Sequence, residues 1–204
     1  MGLVRGDRRQ RHDRPVAVTL PPPPRFRRGD WLALGLVALA EQGPAGLTIE
    51  ALCRRGGKTK GSFYAHFPAI EAYLVALAGH WRETHTHRLM QETDKGGPAQ
   101  DRLIALDRLA LALDVRVEQG MRRLAQLDAG VAAICAEVDR ERIGYLEGLH
   151  GESRRFTAQE ALALARIEYA AYIGFQQLDL GLSPQELHDC YGTLMRLLHR
   201  PGNG

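Results

Sequence analysis

No run of apolar residues in this 204-residue chain approaches the roughly 18 needed to cross a bilayer. Its charged N-terminus is not followed by the apolar core of a secretory signal. Cysteine is scarce. Cys53, Cys135 and Cys190 make an odd count with no metal-ligand spacing, and they read as reduced, small apolar side chains in a cytoplasmic protein. Strand-type alternation is missing, and so is any repeat of fixed period. Catalytic signatures are missing too: there is no nucleophile elbow and no paired zinc-ligand motif. Carboxylates occur mostly beside arginines, as in Asp139-Arg140-Glu141-Arg142, which reads as a solvated helix face. Arg122 and Arg123 have no evident substrate to hold. These absences lead us to expect no membrane partner, no enzyme, no cofactor and no metal.

What is present is enough apolar residue for a core, 45% of the chain, and a lopsided charge. Residues 1–28 hold eight arginines against Asp7 and Asp13, a balance of +6 that leaves −3 for the remainder of a chain whose net charge is +3. A basic arm on an acidic body suits a polyanion approached from one end. It is equally consistent with a disordered, solubilising tail or with translated sequence ahead of the true start. Pro21 to Pro24 would keep the connection extended.

The most informative stretch is residues 47–67, which reads as two short helices around a glycine turn. Thr48 is an N-cap, with Leu47 and Leu52 at the spacing of a hydrophobic staple. The first helix runs to Arg55, and Gly56 or Gly57 ends it in the left-handed conformation. Thr59 caps the second, where Phe63 and Phe67, four apart, share one face. Lys60, Gly61, Ser62, Tyr64 and His66 occupy the others. Small residues at the start of a helix with an aromatic inner face suit insertion into a major groove. The pattern is a helix-turn-helix.

Thr-Lys-Gly-Ser-Phe-Tyr-Ala-His-Phe (residues 59–67), with Leu-Thr-Ile-Glu-Ala-Leu (47–52) and a Trp31-containing helix before it, resembles the DNA-binding domain of the tetracycline-repressor family. The resemblance extends over 29–199, strong in its first third and loose beyond. It implies that Lys60, Gly61, Ser62, Tyr64 and His66 contact DNA. Thr48, Lys58 and Thr59 join them as candidates, although capping alone explains Thr48. Three positions depart from the family pattern. Lys58 stands where an apolar residue usually packs under the reading helix, Ala69 replaces the capping Ser or Asp of the next helix, and Ile70 replaces a DNA-facing lysine. The lost cap is worth ~1 kcal/mol, and Lys58 and the arm are candidates to compensate.

Elsewhere everything reads helical. The first helix is expected from Asp30, as N-cap, to about Glu41, with Trp31, Leu34, Val37 and Leu39 on its apolar face. A fourth starts near Ala69 and ends at Asp94-Lys95-Gly96-Gly97-Pro98. Helices over 99–113, 116–127 and 129–149 follow, then two opened by the capping boxes Thr157–Glu160 and Ser183–Glu186. Nine helices and no sheet are predicted. His80, His85 and His87 lack a third ligand in register and read as a solvated face. Gly57-Lys58-Thr59 lacks the first glycine and the strand of a phosphate-binding loop.

The expected organisation is all-α: a basic arm (1–28), a helix-turn-helix domain (29–75), and a helical effector-binding and dimerisation domain (76–200) joined by a long helix. The resemblance implies an apolar effector cavity, for which Met121, Leu124, Tyr145, Tyr169, Tyr172 and Phe175 are candidates; plain core packing explains each singly. The last two helices are read as half of an intermolecular four-helix bundle. The expected function is a homodimeric regulator that binds double-stranded operator DNA and is a repressor released by a small-molecule effector. The alternative is a helical ligand-binding or interaction protein that has lost DNA binding.

Overall fold

The computed structural model describes residues 26–198, apart from 154 and 179. The arm therefore lies almost wholly outside the described residues. Ten α-helical segments and no strand occur among those described: α1 (Arg28–Gln42), α2 (Ile49–Gly56), α3 (Lys60–Tyr64), α4 (Ile70–Arg82), α5 (Arg88–Thr93), α6 (Ala99–Leu111), α7 (Val115–Ala125), α8 (Ala129–Glu152), α9 (Ala158–Gln177) and α10 (Pro184–Leu198). A π turn (Glu83–His87) joins α4 to α5 without a break, so the two form one continuous helical rod and the expected nine helices are recovered.

Local chemistry sets most of the boundaries. Thr48 and Thr59 each accept the backbone N–H three residues on, from Ala51 and Ser62 at 3.2 Å. Gly57 ends α2 with φ 60°, a left-handed value that a side chain would strain. Thr157 and Ser183 open α9 and α10 as capping boxes with Glu160 and Glu186. The start of α1 differs from expectation. Arg27 is the N-cap, and Asp30 sits three residues in, where its carboxylate accepts the Arg27 backbone N–H at 2.6 Å. Val37 also points away from the core, 48% exposed, because the buried stripe of α1 runs through Trp31, Leu32, Leu36 and Leu39. Those four positions share one arc of the helix, and Val37 falls outside it.

Two apolar clusters organise the molecule. The larger gathers Trp31, Leu39, Leu52, Phe63, Phe67, Tyr73, Leu77 and Trp81 from α1–α4 with Val117, Met121, Leu124, Val131 and Val138 from α7 and α8. Thus α7 and α8 extend the core of the helix-turn-helix unit. The approach of α7 to α1 requires Gly120, where a Cβ would lie 2.6 Å from the Leu39 side chain. The second cluster is Leu103, Leu146, Leu149, Ala165 and Tyr169, between α6, α8 and α9. No helix among the described residues is long and apolar enough to cross a membrane.

Candidate nucleic-acid interface and effector cavity

The reading helix α3 is only five residues long, but the chain keeps turning beyond it, with Phe67 N–H bonded to the Phe63 carbonyl at 3.0 Å. Phe63 and Phe67 are fully buried and in ring contact with each other and with Tyr73. Trp31 meets Phe63 edge-on at 5.4 Å. This aromatic knot leaves Lys60, Gly61 and Tyr64 on the outside, Tyr64 at 51% exposure, with Ser62 and His66 half-buried. Thr48 and Thr59 are exposed while their hydroxyls act as caps. The eight candidate residues therefore cluster on α3, on the turns at the starts of α2 and α3, and, for His66, on the turn that follows α3.

Three arrangements there were not read from the sequence. Lys60 Nζ is ion-paired with Glu50 Oε1 on α2, both well exposed, and the pair raises the lysine pKa and lowers that of the glutamate. Phe26, next to the arm, packs against the edge of the larger core. It meets Trp31 edge-on at 5.0 Å, and the Lys58 ammonium stands 5.2 Å above its ring. The Phe26 carbonyl accepts from His66 Nε2 at 3.2 Å, which fixes the ring proton on that nitrogen. The other departures show as expected from the residue types. Ala69 opens α4 with no side-chain cap, and Ile70 packs at the edge of the core.

The α4–α5 rod is clamped to α8 at its π turn. Arg82 bridges Glu137 and Glu141, and His87 Nε2 reaches Glu141 at 3.1 Å. Arg142 uses four N–H directions: Thr86 Oγ1 at 3.0 Å, the His85 carbonyl at 3.2 Å, Glu118 at 3.1 Å and the Tyr169 hydroxyl at 3.4 Å. Its guanidinium also lies 5.1 Å from the Trp81 ring centre. Arg122 joins Glu118 at 2.9 Å to Asp139 at 2.6 Å, and Tyr169 donates to Asp139 at 2.6 Å. Burial would lift the Asp139 pKa, yet the Arg122 and Tyr169 hydrogen bonds hold it below the usual carboxylate value.

The Asp139–Arg142 run is therefore no solvated face. Residues 139 and 142 are three apart on α8 and turn together toward α7 and the π turn, leaving Arg140 outside. The same network supplies the partners that Arg122 lacked in the sequence.

A cavity of about 60 Å³ opens beside this network, walled by the π turn and helices α5, α6, α8, α9 and α10. Tyr145, Tyr169 and Tyr172 of the candidate set line it. Met121, Leu124 and Phe175 do not. The first two are committed to the larger core, and Phe175 packs edge-on against Tyr191. Polar wall residues that the sequence did not single out are His85, Asp107, Arg142 and Glu168. His85 is thus not on a solvated face, and burial followed by the nearby Arg142 lowers its pKa despite Glu118. Among the described residues no group of three or more His, Cys, Asp or Glu is placed to hold a metal ion.

Residues 32–77 match the family model of bacterial regulatory proteins of the tetR family. No curated protein matches the chain. Several solved structures share its fold. The reduced form of E. coli NemR is 22% identical, with TM-score 0.72 over 86% of this chain and 99% of NemR. A protein from Saccharomonospora viridis, solved in complex with choline, is 16% identical with TM-score 0.72 over 85% and 96%. A TetR-like transcriptional regulator from Rhodococcus sp. RHA1 is 16% identical with TM-score 0.65 over 88% and 100%. Residues 32–77 thus carry the helix-turn-helix segment of the tetR family, and the chain as a whole has the all-helical fold of these solved structures.

Proposed function

We propose that the chain is a homodimeric, operator-binding repressor released by a small molecule. The observation that carries the reading is the anchoring of α3: two fully buried phenylalanines hold the helix from behind while Tyr64 and Lys60 stay exposed. Thr48, Lys58, Thr59, Lys60, Gly61, Ser62, Tyr64 and His66 are the proposed DNA-contacting set, carried by a reading unit over 29–75. Two-fold symmetry would set two such helices in successive major grooves, about 34 Å apart on a palindromic operator. The arm of residues 1–28 adds phosphate contacts. Residues 76–200 supply the effector cavity and, through α9 and α10, the dimer contact; Ile167 and Leu197, 51% and 63% exposed, are apolar groups such a contact would cover. The reading assigns no enzymatic activity and no cofactor.

Release requires an effector that binds a non-reading conformation more tightly than the reading one. The cavity borders the π turn of the rod that leaves the reading unit, so an occupant there acts on the element connecting both halves. A fold relative solved with choline is consistent with a small-molecule site in such a body.

A second reading, a ligand-binding protein that no longer binds DNA, draws on the uncapped Ala69, the inward Ile70 and the Glu50-paired Lys60. A gel shift on the promoter region beside the protein's own gene separates the two. Retention at low salt, weakened in Tyr64→Ala and Lys60→Ala, supports the repressor. Equal retention in both variants refutes the contact set, and no retention at low salt favours the second reading. In the same assay, an unchanged slope of log affinity against log salt after deletion of residues 1–24 removes the arm from the account.

A further inference from the structure

The cavity has an unbalanced charge. Arg142, its one arginine wall residue, is already satisfied by Glu118, Thr86, the His85 carbonyl and Tyr169. It has little left to offer an anion. Glu168, 1% exposed, is paired through Oε2 with the equally buried His150 at 2.8 Å. Asp107 is different. Among the described residues it has no ion pair, and its only hydrogen bond is a long one, from the Tyr191 hydroxyl at 3.3 Å. A carboxylate in an apolar wall without a counter-charge is costly, and burial followed by repulsion from Glu168 pushes its pKa up to about 7.

The surroundings are aromatic. Tyr169 and Tyr172 stack at 6.4 Å, and Tyr172 meets Tyr191 edge-on at 6.3 Å, so three rings from α9 and α10 form a continuous wall that reaches Asp107. Such rings attract a positive charge through their electron-rich faces and do not ask it to donate hydrogen bonds. With about 60 Å³ of space, the occupant is restricted to a compact head group.

We propose that this cavity takes a small organic ammonium ion, a protonated amine or quaternary ammonium, whose charge is neutralised by Asp107 within the wall of Tyr169, Tyr172 and Tyr191. The assignment rests on the effector reading above for its place in regulation, but not for its chemistry. An anion would face Asp107 and Glu168 with no free guanidinium, and a neutral ligand would leave Asp107 without its counter-charge.

The probe is tetramethylammonium, compared by calorimetric titration of the full chain with a neutral molecule of the same tetrahedral shape and heavy-atom number, 2-methylpropan-2-ol. Saturable binding of the cation is expected, with the alcohol at least tenfold weaker. Asp107→Asn should weaken the cation at least tenfold and leave the alcohol unchanged. The comparison of the two probes on the unsubstituted chain needs no variant and stands even if Asp107→Asn folds poorly. Equal affinity for the two probes, no saturable binding of the cation, or cation affinity undiminished in a folded Asp107→Asn overturns the proposal. Gel shifts on the same samples keep the two inferences apart. Cation binding that leaves DNA retention untouched supports the site and removes its role as a switch. DNA release by a neutral or anionic cavity ligand that excludes the cation keeps the switch and overturns the ammonium assignment.

Discussion

Glu118→Gln is expected to be among the most damaging substitutions that change no side-chain size. Glu118 is 5% exposed and holds two guanidiniums, Arg122 at 2.9 Å and Arg142 at 3.1 Å. Removing its charge leaves those two arginines with Asp139 as the remaining carboxylate of the cluster. Breaking a buried pair on one side typically costs 3–5 kcal/mol, because the partner's charge stays buried. The glutamine carbonyl can still accept one hydrogen bond, so we place the loss at the lower end, ~3 kcal/mol. For a chain of this length that corresponds to a fall in Tm of roughly 6–12 °C.

Thermal unfolding followed by circular dichroism, with urea unfolding as a second measure, reads the loss. Glu152→Gln is the control. It breaks an ion pair with Arg102 in which the carboxylate side is 55% exposed and the arginine 14%, and Arg102 keeps Asp94 at 3.4 Å as a second partner, so the loss is expected to stay at ~1 kcal/mol. Replacing both partners, Glu118→Met with Arg142→Met, should cost less than the two single changes summed, since no charge is then stranded opposite the other. A Glu118→Gln loss no larger than that of Glu152→Gln refutes the network as a buried one. Asp139 adds a pH signature. Its pKa lies below the ordinary value in the fold, so its contribution is complete above pH ~4 and is lost as the pH falls through the lowered value.

Further outcomes are expected elsewhere in the fold. Gly35→Ala should cost ~2–4 kcal/mol, read as denaturant midpoint, because its Cβ would lie 1.9 Å from the Tyr73 hydroxyl, which donates to the Trp31 carbonyl at 3.0 Å; adding Tyr73→Phe should recover part of the loss. Glu50→Gln frees Lys60 from its pair and should steepen the salt dependence of DNA binding by about one unit, with tighter binding at low salt. Asp107→Asn should stabilise the protein at pH 8 and change little at pH 4. In the fold the aspartate is raised to about 7, so it takes up protons that the unfolded chain, at its ordinary 3.8, has already lost, and stability falls as pH rises between the two. The full difference corresponds to ~4 kcal/mol, a ceiling because Asp107 is partly exposed; melting temperatures of both proteins at the two pH values check it.

The parts of this fold that are local in the chain were legible. Thr48, Thr59, Thr157 and Ser183 cap the helices they were expected to cap, and Gly57 takes the left-handed turn. Phe63 and Phe67 are buried together because a spacing of four puts them on one face whatever the rest of the chain does. What was missed joins residues far apart. Phe26 belongs to the end of a basic arm by sequence, yet its ring fills the space beside Trp31 and Lys58. Asp139 and Arg142 look like surface charges until α7 brings Glu118 and Arg122 against them. Asp30 was misjudged by one turn, since a carboxylate suits both the cap and the third helical position. The cavity shows the same division. Tyrosines 145, 169 and 172 were nameable only through the family resemblance, while Asp107, Glu168 and His85 carry no periodic signal that separates a wall from a surface.

The central claim, that α3 lies in the groove with Tyr64 toward the duplex, is tested most directly by tethered cleavage. Tyr64→Cys in a Cys190→Ser background offers one exposed thiol for an iron chelate, because Cys53 and Cys135 are buried. On bound promoter DNA the account predicts two cleavage clusters about one helical turn apart, symmetric about the operator centre. Cleavage that is absent, or spread evenly along a fragment the labelled protein demonstrably binds, would contradict it.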